Sequence, residues 1–378
     1  YLFHLKGTST AKAEFMIEPA SGDYPILYFG DGNHFIRGVL GGGMNVHDIN
    51  KVVFTGGNVG IKQSNPTANL HVGGTDGFLV TGTHNSGTLS ATGAGTRMMF
   101  YPKKSAFRAG YVDGTQWNDI NIGQYSVAMG FKSTAKHLGS IAMGYECTAD
   151  GQGATAMGMV CQANGMGSTA MGMGTVASSQ SSTAMGGYTT ASGSRSTAMG
   201  DNTTASGDYS TAMGNYVSTN TRRGSFMIGD KSTTTTLTAN SDDRFYARFQ
   251  GGYYLYTNSG CSNGVYMHMN DNSWHSISDS AKKTAYAEIP SEEILREFRS
   301  LRLGSWRYKH DTPERRHYGP MAQEWFSAFG HDGIGTIGTD TSLGTADVDG
   351  ILCIAIKALE ARTADLRDVS ADLEARDE

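Results

Sequence analysis

Apolar positions recur every 14 residues through the middle of the chain. Met129, Met143, Met157, Met171, Met185, Met199 and Met213 form one column, each inside a Ser/Ala-x-Ala-Met-Gly motif. Ala135, Ala149, Ala163, Ala177, Ala191 and Ala205 form a second column in the same register. An eighth copy, "SFMIG" at 225–229, arrives one residue late. Spacing without insertions means that each copy is one structural unit stacked on the last. Fourteen residues are too few for a helical hairpin, and suit two short strands joined by two tight turns with Gly at the turns. The pattern therefore predicts a parallel β-solenoid, about 34 Å long for seven rungs at a strand spacing of ~4.8 Å. Alternation across a strand sends Thr and Met of "STAMG" one way and Ser and Ala the other. The methionine column is expected to be the stacked apolar core of the repeat rather than a metal or cofactor ladder.

The flanks read as β structure of a different kind. Short apolar runs between Gly-rich turns ("YPILYFG", "FIRGVLGGG", "KVVFTGG") predict a β-rich shaft over 1–94. A connector over 95–120 leads into the roll at 121–230, and Lys103 and Lys104 within it read as a solvated pair. "KSTTTTLTAN" at 231–240 is a polar linker. "DDRFYARFQGGYYLYTN" and "GVYMHMNDNSWHSIS" then alternate polar and apolar residues as strands do. They predict a β-rich stalk over 231–277, with Tyr253, Tyr254 and Tyr256 packing at a symmetry axis rather than stacking on a sugar.

At residue 278 the pattern changes. Of residues 278–378, 32 are charged, against 33 of residues 1–277, which marks a domain boundary. "SEEILREFRSLRLGSWRYKHD" predicts a helix with Ser291 as its N-cap. Near the end, Leu352, Ile356, Leu359, Thr363, Leu366, Ser370 and Leu373 alternate spacings of 4 and 3. This is a heptad seam over about 347–376, softened at Thr363 and Ser370, and it predicts a parallel three-stranded coiled coil.

Composition narrows the function classes. Glycine is frequent, at 51 of 378 residues, and proline rare, at 7. No run of about 18 apolar residues occurs, so no membrane insertion is expected. A net charge of −5 without a basic stripe argues against nucleic acid as a partner. The four cysteines, Cys147, Cys161, Cys261 and Cys353, show no CxxC spacing, so neither a metal nor another cofactor is expected. Cys147 and Cys161 lie one repeat apart and are read as small buried residues on neighbouring rungs. The chain opens on Tyr1 without a basic-then-apolar leader, which predicts a fragment or a processed product.

Three stretches resemble known families. "STAMG…TASG" in 14-residue steps resembles the left-handed parallel β-roll head of trimeric autotransporter adhesins, which implies a homotrimer with three rolls side by side. "GNVGIKQSNPTANLHVGG" at 57–74 resembles a short shaft motif of phage tail fibres and bacterial fibre proteins, with Lys62 and Gln63 in place of the usual Gly and Thr. Over 278–378, a Ser-Asp start with a lysine five residues on, "LGSWRYK", "HYGPMAQE" and "DGILCIAIKALEAR" stand in order. This third stretch resembles the intramolecular chaperone, autoprocessing domain of phage endosialidases, tail spikes and tail fibres. That resemblance implies a mainly α domain that trimerises the β-rich fibre ahead of it and then cuts itself off.

Carried onto this chain, the resemblance puts the scissile bond at Ile277–Ser278, with Ser278 as nucleophile and Lys283 as general base. The chemistry suits these residue types: a serine hydroxyl needs a base to take its proton, and a desolvated lysine supplies one. Lys282 is the rival base. Asp279 reads as structural or oxyanion-adjacent, and His317, Gln323 and Glu324 as structural or as helpers from a neighbouring chain. The reading that follows is a mainly β homotrimeric tail fibre or tail spike in a virion, exposed to the extracellular medium. It would attach to a host cell-surface glycan or protein, join upstream virion or tail components, and act at most as a single-turnover self-cleaving serine endopeptidase with no external substrate. The alternatives are a bacterial surface adhesin built from the same modules and a glycan depolymerase. The last needs paired carboxylates, whereas Asp201 and Asp208 stand isolated in turns.

Overall fold

A computed structural model describes residues 65–377 apart from 76, together with the strands Ile26–Phe29, His34–Val39, Gly43–His47 and Val59–Ile61. The rest of the expected shaft lies outside the described residues. The chain divides into two compact units, Tyr1–Ser86 and Gly87–Glu378. In the first, Ile26–Phe29, His34–Val39 and Gly43–His47 form an antiparallel meander, and Val59–Ile61 pairs in parallel with Leu70–Val72 inside the 57–74 motif.

The second unit is dominated by a parallel β-roll. Each 14-residue rung contributes a long strand, such as Ile141–Tyr145 or Thr155–Met159, and a short one, such as Thr148–Ala149. Neighbouring rungs pair residue for residue, Met143 with Met157 and Ala149 with Ala163. The late copy keeps this register, with Met227 facing Ala212 and Ile228 facing Met213, because its extra residue is absorbed in a turn where Asn220 and Thr221 both have positive φ. The sheet also extends beyond the repeats at both ends. Gly95–Tyr101 and Ala106–Val112 form a hairpin whose second strand is the rung below Val127–Phe131, and Phe245–Arg248 pairs above Phe226–Gly229. Within 231–240, Leu237–Thr238 is also a strand of this sheet, paired with Val217–Ser218.

One expectation is corrected here: the methionine column does not fill the roll. The fully buried positions are Ala128, Ala142, Ala156, Ala170, Ala184, Ala198 and Ala212, faced by the Ala135–Ala205 column and by Ser133, Cys147, Cys161, Thr175, Thr189, Thr203 and Val217. Met143, Met157, Met171, Met185, Met199 and Met213 are half-buried on the outer face, and Met129 is 38% exposed. A coil of 14 residues encloses a bore only a few atoms wide. The alternation that turns Ser and Ala inward must turn Thr and Met outward.

Glycine is needed at one turn and also within the strand. One corner of each rung adopts left-handed backbone on Lys132, Glu146, Val160, Tyr188, Asn202 and Tyr216, with glycine only at Gly174, while the other corner places glycine there at Gly139, Gly153 and Gly167. A second glycine column lies within the long strand, where rungs approach closely. At Gly172 (φ +126°) an added Cβ would stand 2.0 Å from the Gly186 carbonyl oxygen of the next rung.

The ends of the bore are plugged. Arg108 occupies the Ala128 column one rung below, fully buried. Its guanidinium donates to the carbonyls of Phe107, Ser126 and Ala135 and to Ser126 Oγ at 2.8–3.0 Å. Beside it, buried Trp117 donates from Nε1 to the Ser133 carbonyl at 2.9 Å. At the far end Met227 and then Tyr246 take over the alanine column.

Beyond the roll stands a three-stranded antiparallel sheet of β1 (Gly252–Tyr256), β2 (Gly264–His268) and β3 (His275–Ser276). The remaining region holds α1 (Ser291–Ser300), α2 (Ala322–Phe329), α3 (Thr345–Asp377) and a small hairpin pairing Gly304–Trp306 with His317–Gly319. Its core is Ile294, Trp325, Phe329, Ile351 and Ala355. Ser291 is the first residue of α1 rather than its cap: Pro290 holds the cap position, and Glu292 and Glu293 supply the first-turn acids. A Glu292–Arg362 pair ties α1 to α3. The heptad seam forms the stripe of α3 next to the buried one, about a quarter-turn round the helix. Leu352, Ile356, Leu359, Leu366 and Leu373 are all exposed, and Leu366 is 70% exposed.

Candidate functional site

The residues around position 278 form a tight local turn. Asp279 Oδ1 accepts from the Ala281 amide at 2.9 Å and caps a single 3-10 turn over Ser280–Lys282. The Lys282 amide bonds the Asp279 carbonyl, and the Lys283 amide bonds that of Ser280. This turn folds the chain back by the length of a lysine side chain. Lys283 Nζ therefore lies 2.6 Å from Ser278 Oγ. A spacing of five residues, awkward on an α-helix, is met because the serine precedes the turn. Of the two lysines, Lys283 is the one that reaches the hydroxyl. Both side chains are exposed in the single chain.

The chain enters this turn from the sheet. Val265 pairs with Ser276 and Tyr266 with His275, and the Ile277 amide donates to the Gly264 carbonyl at 3.2 Å. That is the last hydrogen bond of the ladder. The Ile277 carbonyl accepts none among the described residues.

Asp279 thus stands beside the dyad as a cap. His317, Gln323 and Glu324 are not brought into it. His317 stacks on Trp306 (centroids 4.8 Å apart) and faces Asp311 Oδ2 at 3.3 Å. Glu324 pairs with Arg302, and Gln323 is exposed on α2. Their contacts hold the small hairpin and α2 in place. The sequence reading passed over Asp271 and His275, whose side chains meet at 2.9 Å just upstream of Ser278. The Asp271 carboxyl also accepts from the His268 amide, and these two contacts hold it below the usual carboxylate range. The signal available was an Asp four residues before a His in a Gly-poor turn, too common to single out.

Residues 278–334 match the family model described as chaperone of endosialidase, and the match begins at Ser278 itself. Residues 122–146, and four further overlapping stretches of the roll from 149 to 216, match the model described as YadA head domain repeat. The chain carries an endosialidase-type chaperone behind a YadA-type head. Together the two matches fit a fibre or adhesin that brings its own assembly domain. No curated protein matches the chain. Among the described residues no helix is long and apolar enough to cross a membrane.

Proposed function

We propose that this chain is a homotrimeric viral tail-fibre or tail-spike protein for attachment to a host surface. Its C-terminal region would bring three copies together and then sever itself at Ile277–Ser278. The observation that carries this reading is the contact between Lys283 Nζ and Ser278 Oγ, at the first residue of the chaperone match.

The chemistry follows from where the nucleophile sits. Ser278 lies on the leaving side of the bond, so its oxygen attacks the carbonyl carbon of the residue directly before it. The neutral Lys283 amine takes the hydroxyl proton. Collapse of the tetrahedral adduct breaks the Ile277–Ser278 C–N bond and returns the proton to the Ser278 nitrogen. The product is an ester between the Ile277 acyl group and Ser278 Oγ. Water hydrolyses it to an Ile277 carboxylate and a free Ser278 amine and hydroxyl. The lysine must be uncharged to start, and desolvation favours that form. In one protomer Lys283 faces water, so exclusion of water falls to the assembled trimer, and cutting waits for assembly.

Two apolar surfaces support the trimer. The outer face of the long strands presents the Thr and Met columns, and it runs on into Phe226, Ile228 and Phe245 at the roll's end. The seam of α3 is exposed along its length. Parallel stacking across chains has high contact order and forms slowly. A helical domain that trimerises early sets the strands in register, and its loss makes assembly irreversible. The YadA-type repeats favour a second reading, a bacterial surface adhesin with the same self-releasing chaperone.

The test is intact mass and denaturing gels of the full chain beside Ser278→Ala and Lys283→Ala. The expected result is a fragment ending at Ile277 from the wild type, with both variants whole. A trimer that never cuts would reduce the domain to a retained clamp and remove the catalytic reading.

A further inference from the structure

The sheet that delivers the scissile bond carries a feature the dyad does not use. β3 is only two residues long, too short to hold itself on a sheet edge. Side chains tether it instead. The His275 ring stacks on Tyr266 (centroids 5.2 Å, planes 15° apart), and Tyr266 stacks on Tyr254 (5.4 Å, 17°). His275 Nε2 meets Asp271 Oδ2 at 2.9 Å, and the same oxygen accepts from the His268 amide at 2.9 Å, closing the turn from β2 into β3. Beyond His275 the ladder makes one more bond, from the Ile277 amide to Gly264, and stops before the Ile277 carbonyl.

We infer that the His275–Asp271 clasp, seated on Tyr266, is a positioning device for self-cleavage that holds Ile277 on the sheet so that its carbonyl faces Ser278. The inference rests on the self-cleavage reading. Ordering a backbone residue has an entropic cost that something must offset, and an attack geometry displaced by an ångström loses about 100-fold in rate. Register has the same weight, because a slip of one residue turns every side chain of β3 to the other face. The clasp fixes the acyl side of the bond, and the Asp279-capped turn fixes the amine side. The Ile277 carbonyl lies between the two anchors and is bound by neither. Asp271, His275 and Tyr266 are positioning residues, since none of them touches the reacting atoms.

The experiment follows cleavage of the full chain after a pulse of cell-free synthesis, reading the fragment that ends at Ile277. Wild type, Ser278→Ala, His275→Ala and Asp271→Asn are compared, with trimer content measured in each. The expected result is that His275→Ala and Asp271→Asn cut at least tenfold more slowly at equal trimer content, and that the Ile277 amide exchanges with solvent faster while roll amides do not change. Val265 and Ser276 form a non-hydrogen-bonded pair, as the Ile277–Gly264 bond next to them requires, and such pairs accept a disulfide. Val265→Cys with Ser276→Cys, in a background with Cys261 and Cys353 changed to serine, should restore the rate of His275→Ala under oxidising conditions and lose it on reduction. Cutting by His275→Ala at the wild-type rate would overturn the inference and leave the dyad standing, as would a confirmed staple that restores nothing. A wild type that does not cut would remove the self-cleavage reading and the inference with it.

Discussion

Arg108 stands directly beneath Ala128 in the interior column of the roll, a cation where the seven rungs above it, Ala128 to Ala212, carry a methyl group. It has no carboxylate partner in the bore. Burial alone pushes its pKa down to about 10, and its hydrogen bonds go to two carbonyls and a hydroxyl of the first rungs, adding to the backbone bonds those carbonyls already accept. A solenoid needs its last rungs closed. Arg108→Ala should cost about 2–4 kcal/mol, because it removes several buried charge-assisted hydrogen bonds and opens the bore. The unfolding midpoint in guanidinium checks this.

The rungs also set opposite rules at two neighbouring positions. Gly172→Ala drives a Cβ into the Gly186 carbonyl and should destabilise by about 3 kcal/mol or more. Val160 has φ of +55°, which a β-branched residue tolerates poorly. Val160→Asn should therefore stabilise by about 1 kcal/mol. Thermal unfolding of the two variants should move in opposite directions.

Cys147 gives the roll an alkaline limit. Burial pushes its thiol up to about 11, and the thiol donates to the Gly158 carbonyl at 3.2 Å. An unfolded thiol ionises near 9.0, so this contribution is whole below that pH and is lost as pH rises through 11. Cys147→Ala should flatten the fall in stability between those values. At pH 8 an alkylating reagent should label exposed Cys261 and Cys353 and leave Cys147 and Cys161 untouched until the roll unfolds.

The two faces of α3 should separate folding from assembly. Ile351 is buried against α1 and α2, whereas Ile356 and Leu366 are exposed. Ile351→Asp should unfold the helical domain, read as loss of helical circular dichroism. Ile356→Asp with Leu366→Asp should preserve that signal and shift the sedimenting mass from trimer to monomer.

The ester that the proposed cleavage would form at Ile277 gives a direct chemical test. Hydroxylamine added during cutting should yield a hydroxamate at Ile277 by mass spectrometry, and Ser278→Ala should yield none. A wild-type fragment carrying only the free carboxylate at high hydroxylamine would argue against an acyl-serine intermediate.

The 14-residue column of methionines was enough to set strand, turn, register and stacking, because parallel pairing reads spacing alone. The heptad spacing likewise placed the last helix to within two residues of its observed start, Thr345. The Ser278–Lys283 pairing was legible as a resemblance, since it lies within six residues of chain. The direction of the methionines was not, because alternation names two faces and leaves open which one is inside. Width decided it: a bore this narrow admits Ala, Ser, Cys and Thr. The plugs at Arg108 and Tyr246, the reach of the sheet past its repeats, and the clasp of Asp271 on His275 came only from tertiary structure. They depend on residues with no periodic signal meeting across turns, and periodicity along a chain carries no information about such encounters.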